Sequence, residues 1–253
     1  MTSRSVSFFV ALALVGGAAA AQATPLGDHF SVELFAGENV GVPGSFRADR
    51  MPVTPENPND RAYDRLDFSS AYDHRYTGGA ELDYTFDERL SAFARAAYSR
   101  FDGQSHQIGA LITDTPGNTP IDARFSDNSM RQLDLGARYT FAPGARFRPF
   151  IGAGLGAAEL SATRANIDNV VGGGTLNVEL GRANTVLTER LETGVQYSPM
   201  RNFDLRLTAA ASHFGKQKPS DDPNLTVLGL DSAHGNMPGR WEYPAELGAV
   251  WHF

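Results

Sequence analysis

The last residues of the chain read Trp241-Glu242-Tyr243-Pro244-Ala245-Glu246-Leu247-Gly248-Ala249-Val250-Trp251-His252-Phe253, and every odd position among them is apolar. The even positions are mostly polar, small or charged. A period of two is the mark of a strand with two unlike faces. Trp241 and Tyr243 stand at one end of the apolar face, and Trp251 and Phe253 stand at the other. They lie about ten residues apart, the span of a tilted strand across the hydrocarbon of a bilayer. In water so aromatic a face would be a poor free surface.

Reading backwards by the same alternation gives strands near 29–37, 74–86, 90–101, 130–141, 147–159, 187–197, 203–214 and 241–253. Their number, eight, is even. The connections Asp87-Glu88-Arg89, Ala142 to Arg146 and Ser198 to Asn202 are short and carry Pro, Gly, Asn or charge, as hairpin turns do. The other four, near 38–73, 102–129, 160–186 and 215–240, are long and rich in Gly, Pro, Asn and Asp, and they read as loops. Short and long connections therefore alternate strictly. The expected fold is all-β: a transmembrane antiparallel up-and-down β-barrel of eight strands, with four long extracellular loops and short periplasmic turns.

Parity sorts the strand residues into two faces. One carries Phe30, Leu34, Tyr76, Leu82, Tyr84, Leu133, Leu135, Ile151, Leu155, Leu191, Leu205 and Leu207, and should meet lipid. The other places Glu33, Glu81, Asp83, Arg95, Asp134, Arg138, Arg190, Glu192, Asp204, Arg206, Glu242 and Glu246 in the lumen, with charges of both signs facing one another. If Phe86 opposes Leu90 across the tight turn, Arg95 faces Glu81, and a turn shifted by one brings it opposite Asp83. Either register sets Arg95 against a carboxylate. The expectation is a lumen charge network of Glu81, Asp83, Arg95, Asp134, Arg138, Arg190, Glu192 and Arg206. A soluble lipocalin-like cup or β-sandwich would turn the charged face to water instead. The aromatic ends, the terminal Phe253 and a charged face of interleaved Arg and carboxylates without Lys argue against it.

The first residues, Met1-Thr2-Ser3-Arg4, precede an apolar run from Val6 to Val15 and a small-residue stretch ending Ala21-Gln22-Ala23. The run is shorter than the roughly 20 residues of a spanning helix, so residues 1–23 are expected to be a signal peptide cleaved after Ala23, and 24–253 the barrel. The chain has no cysteine, which removes disulfides, thiol catalysis, Cys-based metal sites and a lipid-modified cysteine. Its formal charge is −7 without any Lys/Arg cluster, which speaks against nucleic acid.

The final strand, ending Trp251-His252-Phe253, resembles the assembly signal of bacterial outer-membrane barrels. The stretch Phe147-Arg-Pro-Phe-Ile-Gly-Ala-Gly-Leu-Gly156 resembles a Pro-aromatic-x-Gly-Ala-Gly-x-Gly strand of the small OmpA-like, OmpX-like and opacity-type barrels, and the whole of 24–253 resembles that group. The sequence stops at the last strand, so the resemblance does not extend to the peptidoglycan-binding domain of full-length OmpA. It implies residence in the outer membrane, contact with outer-membrane lipids and lipopolysaccharide, and recognition of Trp251 and Phe253 by the barrel assembly machinery. It further implies a monomer without cofactor or metal.

Few residues suggest chemistry. Gly152-Ala-Gly154-Leu-Gly156 lacks the following helix of a dinucleotide loop. In a strand these glycines share one face and make room for a large inward side chain such as Phe93. A lipid A hydrolase would need Ser and His on one face, whereas Ser212 and His213 are adjacent and point to opposite faces. Asp73-His74 with Asp221-Asp222 superficially resembles an omptin-like protease site, but those proteases have ten strands. Asp221, Asp222 and the Asp/Asn-rich third loop could meet a divalent cation, although solvated loop acids usually bind nothing tightly. Arg47, Arg50, Arg61 and Arg65 in the first loop could meet lipopolysaccharide phosphates; the alternative is an ordinary solvated loop. The expected function is therefore non-enzymatic: a structural and surface-interaction role through the long loops, with a possible host or cell-surface ligand. The alternative is a narrow porin-like pore for small hydrophilic solutes or ions. An eight-stranded barrel has an interior that side chains can just fill.

Overall fold

The computed structural model describes residues 29–40, 45–47, 61–64, 66–111, 119–170, 174–228 and 239–253; the expected signal peptide over 1–23 lies outside them. Eight long strands follow one another around a closed ring: β1 (Phe30–Asn39), β2 (Tyr72–Thr85), β3 (Leu90–Gly103), β4 (Asn128–Thr140), β5 (Phe147–Leu160), β6 (Asn184–Met200), β7 (Phe203–Phe214) and β8 (Pro244–His252). Each pairs antiparallel with its neighbours in sequence, and β8 pairs back onto β1 with Val32 opposite Trp251. Closure leaves no barrel edge. The expected boundaries lie within three residues of these. One turn is tighter than expected, because β6 runs through Pro199 to Met200 across an irregularity after Tyr197 and leaves Arg201-Asn202 as the turn. Proline is tolerated at such a bulge, where no ladder bond is required of its nitrogen.

The two faces follow the alternation. Leu133, Leu135, Leu155, Leu187 and Leu191 are each more than 60% exposed, which is intelligible only if lipid covers them. At the short-turn end the outward aromatics touch in series: Phe30 with Tyr84 at 5.0 Å, Tyr139 with Phe141 at 5.1 Å, Phe147 with Tyr197 at 4.8 Å and Phe203 with Trp251 at 5.6 Å. Tyr76, Tyr98, Trp241 and Tyr243 are exposed at the other end. Two aromatic girdles therefore bound the apolar belt.

The long connections differ from expectation. They are not plain loops, for Arg61–Tyr63, Ser105–Leu111, Thr119–Phe125, Thr163–Val170 and Gly174–Gly181 form a five-stranded sheet that continues the wall beyond the belt. Alternation dictates it: Ile121, Ala123 and Phe125 point inward between exposed or half-exposed Asp122 and Arg124, and Ala165, Ile167 and Val178 repeat the pattern. These side chains pack with Tyr72, Phe101, Met130, Leu160, Val186 and Phe214 of the barrel and with Leu225 and Leu228 after β7. The outer end of the lumen is thus filled by an apolar core. The sheet edge at Gly174–Gly181 is covered, since Glu179 N–H donates to Asp222 at 2.8 Å and Asn224 Nδ2 donates to the Asn177 carbonyl at 3.0 Å. At the foot of the sheet, Asp127 accepts from Gly103 N–H at 3.0 Å and from Arg100 at 2.7 Å, and the backbone donor first, then the guanidinium, hold its carboxyl below the ordinary value. Of the first-loop arginines, Arg47 and Arg61 sit in short strands, and Arg50 and Arg65 lie outside the described residues.

Candidate functional site: the barrel interior

The lumen is packed in layers. At its centre Arg206 bonds three carboxylates at once: Glu33, Glu81 at 2.7 Å and Asp83 at 3.0 Å. Arg138 bonds Glu81 at 2.9 Å, Asp83 at 2.8 Å and Glu192 at 2.6 Å. Arg190 joins Glu192 at 2.9 Å to Glu246 at 2.8 Å, and Arg95 reaches Glu246 at 2.7 Å. All of these side chains are buried. Each charge taken out of water is costly unless its partners replace the lost hydration, and here every carboxylate meets at least one guanidinium. Glu33, Glu81 and Asp83 have oxygens close enough together to hold a cation, and the Arg206 guanidinium bonds all three.

Rings separate the charges. The Arg95 guanidinium lies 3.6 Å from the centre of Phe35; that of Arg138 lies 5.0 Å from Phe93 and 4.9 Å from Phe150. Cation–π attraction of this kind is worth roughly 2 kcal/mol or more when desolvated. Glycines on the facing strands admit the rings. A Cβ on Gly194 would stand 2.6 Å from Phe150 Cζ, one on Gly79 2.8 Å from Phe35 Cζ, and one on Gly154 3.1 Å from Phe93 Cζ. Gly154 thus makes the room for Phe93 that its place in the strand suggested, with Gly136 on the neighbouring strand closer still. Phe35, and Phe150 as the aromatic of the Pro-aromatic-x-Gly-Ala-Gly-x-Gly stretch, join Phe93 as two further lumen rings that the sequence reading did not assign. Their signal was available, for both carry the inward parity of their strands, where an aromatic breaks the polar rule.

Arg95 needs a correction. It does stand opposite Glu81 in the β2–β3 register, and opposite Asp134 on its other side. Its ion pair, however, is with Glu246 on β8, across the lumen. A long guanidinium stem projects toward the axis past its lateral neighbours, and Glu81 is already held by Arg138 and Arg206. Asp134 receives Gln132 Nε2 at 2.7 Å and the Thr188 hydroxyl at 2.8 Å rather than an arginine.

Above this layer Arg240 bonds Glu242 at 2.8 Å, surrounded by Phe68, Phe101 and Phe214, and Asn39 donates to Glu242 at 3.1 Å. Below it Asp204 gathers Arg148, Gln196 and, at 2.6 Å, His252 Nε2.

The residues weighed as catalytic do not converge. Ser212 is buried in the lumen, while His213 lies outward beside Trp241 and 3.7 Å from Glu189. Asp73 and His74 approach each other at 3.5 Å; Asp221 pairs with Arg182, and Asp222 accepts from Glu179 N–H.

A family model described as the outer membrane protein beta-barrel domain matches residues 8–231. No curated protein matches the chain. Among solved structures it is similar to Neisserial surface protein A (NspA), at 15% identity over 88% of this chain and 97% of that one, with a TM-score of 0.44. It is similar to Ail, the attachment invasion locus protein of Yersinia pestis, at 12% identity over 89% and 99% of the two chains, with a TM-score of 0.38. It is also similar to the outer membrane protease OmpT from Escherichia coli, at 12% identity over 89% and 97%, with a TM-score of 0.46.

Proposed function

From a chain that belongs to the outer membrane protein β-barrel family, and so resides in the outer membrane, we propose a non-enzymatic protein that acts through its outer surface and passes no solute through its interior. One observation carries this reading: the lumen is filled from the Asp204 layer through the central ion network to the apolar core under the outer sheet. Four central arginines and the five carboxylates they bond, Glu33, Glu81, Asp83, Glu192 and Glu246, largely compensate one another, and among the described residues their buried side chains occupy the axis that an ion would have to follow. This favours a structural wall over a narrow pore. The separation of Ser212 from His213, and of Asp73-His74 from the partners of Asp221 and Asp222, supports the non-enzymatic part.

The sheet outside the belt supplies the interacting surface. Ser105, Arg124, Asn166 and Asn177 stand side by side across four strands on its outward face. Asn177 Nδ2 donates to Asn166 Oδ1 at 2.7 Å, and Arg124 has no ion-pair partner among the described residues. A rigid row of amides and a guanidinium suits sugar hydroxyls and phosphates, the chemistry of lipopolysaccharide and of host glycans. The test is a variant carrying Arg124→Glu, Asn166→Ala and Asn177→Ala, compared with wild type for retention of lipopolysaccharide and for attachment of expressing cells to glycan-coated surfaces. Loss of either with normal barrel levels is the expected result; unchanged behaviour in both would remove the surface reading.

A further inference from the structure

The short-turn end of the barrel holds a solvent-open cavity of about 500 Å³, lined by Pro143, Ala145, Arg148, Pro199, Arg201 and His252 among others. Its donors are built in. Asp204 fixes Arg148 and His252 through the same carboxylate oxygen, as a supporting group fixes the residues that meet a ligand. With one terminal nitrogen committed to Asp204, Arg148 remains about a quarter exposed and presents the rest of its guanidinium to the cavity. Ser198 Oγ, which also lines the cavity, approaches Asp204 without meeting hydrogen-bond geometry. Arg201, exposed at the rim, has no ion-pair partner among the described residues. Two guanidiniums therefore confront one carboxylate that is already saturated on one oxygen. Two guanidiniums at a solvent-open mouth suit an oxyanion, and a guanidinium fork matches a carboxylate or a phosphate.

The remaining walls say what the anion is attached to. Pro143, Ala145, Pro199 and Met200 add apolar groups to a lining that is otherwise mainly polar, and a bare ion would leave them unused. Arg148, Asp204 and His252 share the lumen parity of β5, β7 and β8, so the cavity opens along the barrel axis to the periplasm and away from lipid headgroups. We infer that the periplasmic mouth is a binding site for the C-terminal carboxylate of a short peptide, whose last side chains lie on the proline–methionine walls and whose carboxylate meets Arg148 and Arg201. Capture of a terminal carboxylate is a recurring mode of peptide recognition.

The experiment follows the ring signals of His252 by NMR, in protein purified from outer membranes into detergent and assigned with His252→Asn. The probes are N-acetyl-leucyl-alanine, its C-terminal amide and inorganic phosphate. The acid should shift His252 saturably, and the amide should bind about tenfold or more weakly, as expected for loss of a charged hydrogen bond. Phosphate should also bind more weakly, since it does not touch the apolar walls. Arg201→Gln, at an exposed turn residue, and Arg148→Gln, checked for retained folding by its unheated gel mobility, should each lower the affinity for the acid. The proposal is overturned if no probe saturates, if amide and acid bind alike, if phosphate alone matches the acid, or if a folded Arg201→Gln protein binds as wild type does.

Discussion

Arg95 stands directly opposite Glu81 across the β2–β3 ladder, yet its guanidinium passes that carboxylate and closes on Glu246 of β8, 2.7 Å away. The pair spans the lumen and ties strands that are not neighbours. Removing one partner of a buried pair costs on the order of 3–5 kcal/mol when the other charge is left unpaired, and about the lower end of that range when, as for Glu246, a second guanidinium, that of Arg190, remains bonded to it. Arg95→Ala should therefore lower stability by about that much in urea unfolding from lipid vesicles. A double-mutant cycle should give a larger coupling for Arg95 with Glu246 than with Glu81. Equal couplings, or a neutral Arg95→Ala, would mean that the lumen is wet at this point.

The glycines opposite the lumen rings give a second expectation. A Cβ on Gly194 would meet both the Phe150 ring at 2.6 Å and the backbone of Leu207, so the strand itself must shift. On Gly154 the nearest atoms stand at 3.1 Å, and small movements suffice. Overpacking typically costs about 1–3 kcal/mol. Gly194→Ala should fall at or above the upper end of that range and Gly154→Ala near its lower end. Denaturant midpoints of the two variants check the order, and the reverse order would contradict the packing described.

Phe253 is expected to serve assembly rather than the finished barrel. Its ring is half exposed, and its N–H donates to the Phe30 carbonyl at 3.2 Å, a single peripheral bond. Deleting it should reduce the amount of folded protein in the outer membrane several-fold and leave refolding in detergent largely intact. Immunoblots of membrane fractions, read beside unheated gel mobility of the refolded protein, separate the two effects. Normal membrane levels would refute the assembly role.

The turn between β2 and β3 carries a pH dependence. Asp87 accepts the N–H groups of Arg89 at 2.7 Å and Leu90 at 2.9 Å, and these backbone bonds hold its carboxyl below the ordinary value. A lowered folded value means that the stabilisation is full above the unfolded pKa, about 3.9, and is lost as pH falls through the folded one. Asp87→Ala should thus be less stable than wild type at neutral pH, with the difference closing below about pH 4. A difference independent of pH would show that the carboxylate is not the agent.

The fold was legible because each barrel strand obeys a rule of period two that is enforced twice, by lipid outside and by the closed lumen inside. Leu133, Leu135 and Asp134 show it in three consecutive residues: the leucines are exposed to lipid and the aspartate is buried. The lumen charges were legible for the same reason. Their pairing was not, because register fixes which backbones are adjacent, whereas an arginine chooses partners within the reach of its long side chain. Arg95 chose Glu246. The outer sheet is less legible, because Pro116-Gly117-Asn118 just before Ile121-Asp-Ala123-Arg-Phe125 and Gly172-Gly173-Gly174 just before Leu176-Asn-Val178-Glu-Leu180 read as loop and leave alternating runs of only about five residues.

Planar-bilayer recording on the purified protein tests the central claim most directly, since the ion network and the apolar cap together should close the barrel. The account predicts a membrane current at the baseline of protein-free bilayers across the applied voltages, with insertion verified independently, and a conductance that appears or rises in Arg95→Ala. Steady, voltage-independent steps of porin size from the wild-type protein would contradict it and assign the chain to passage of small hydrophilic solutes.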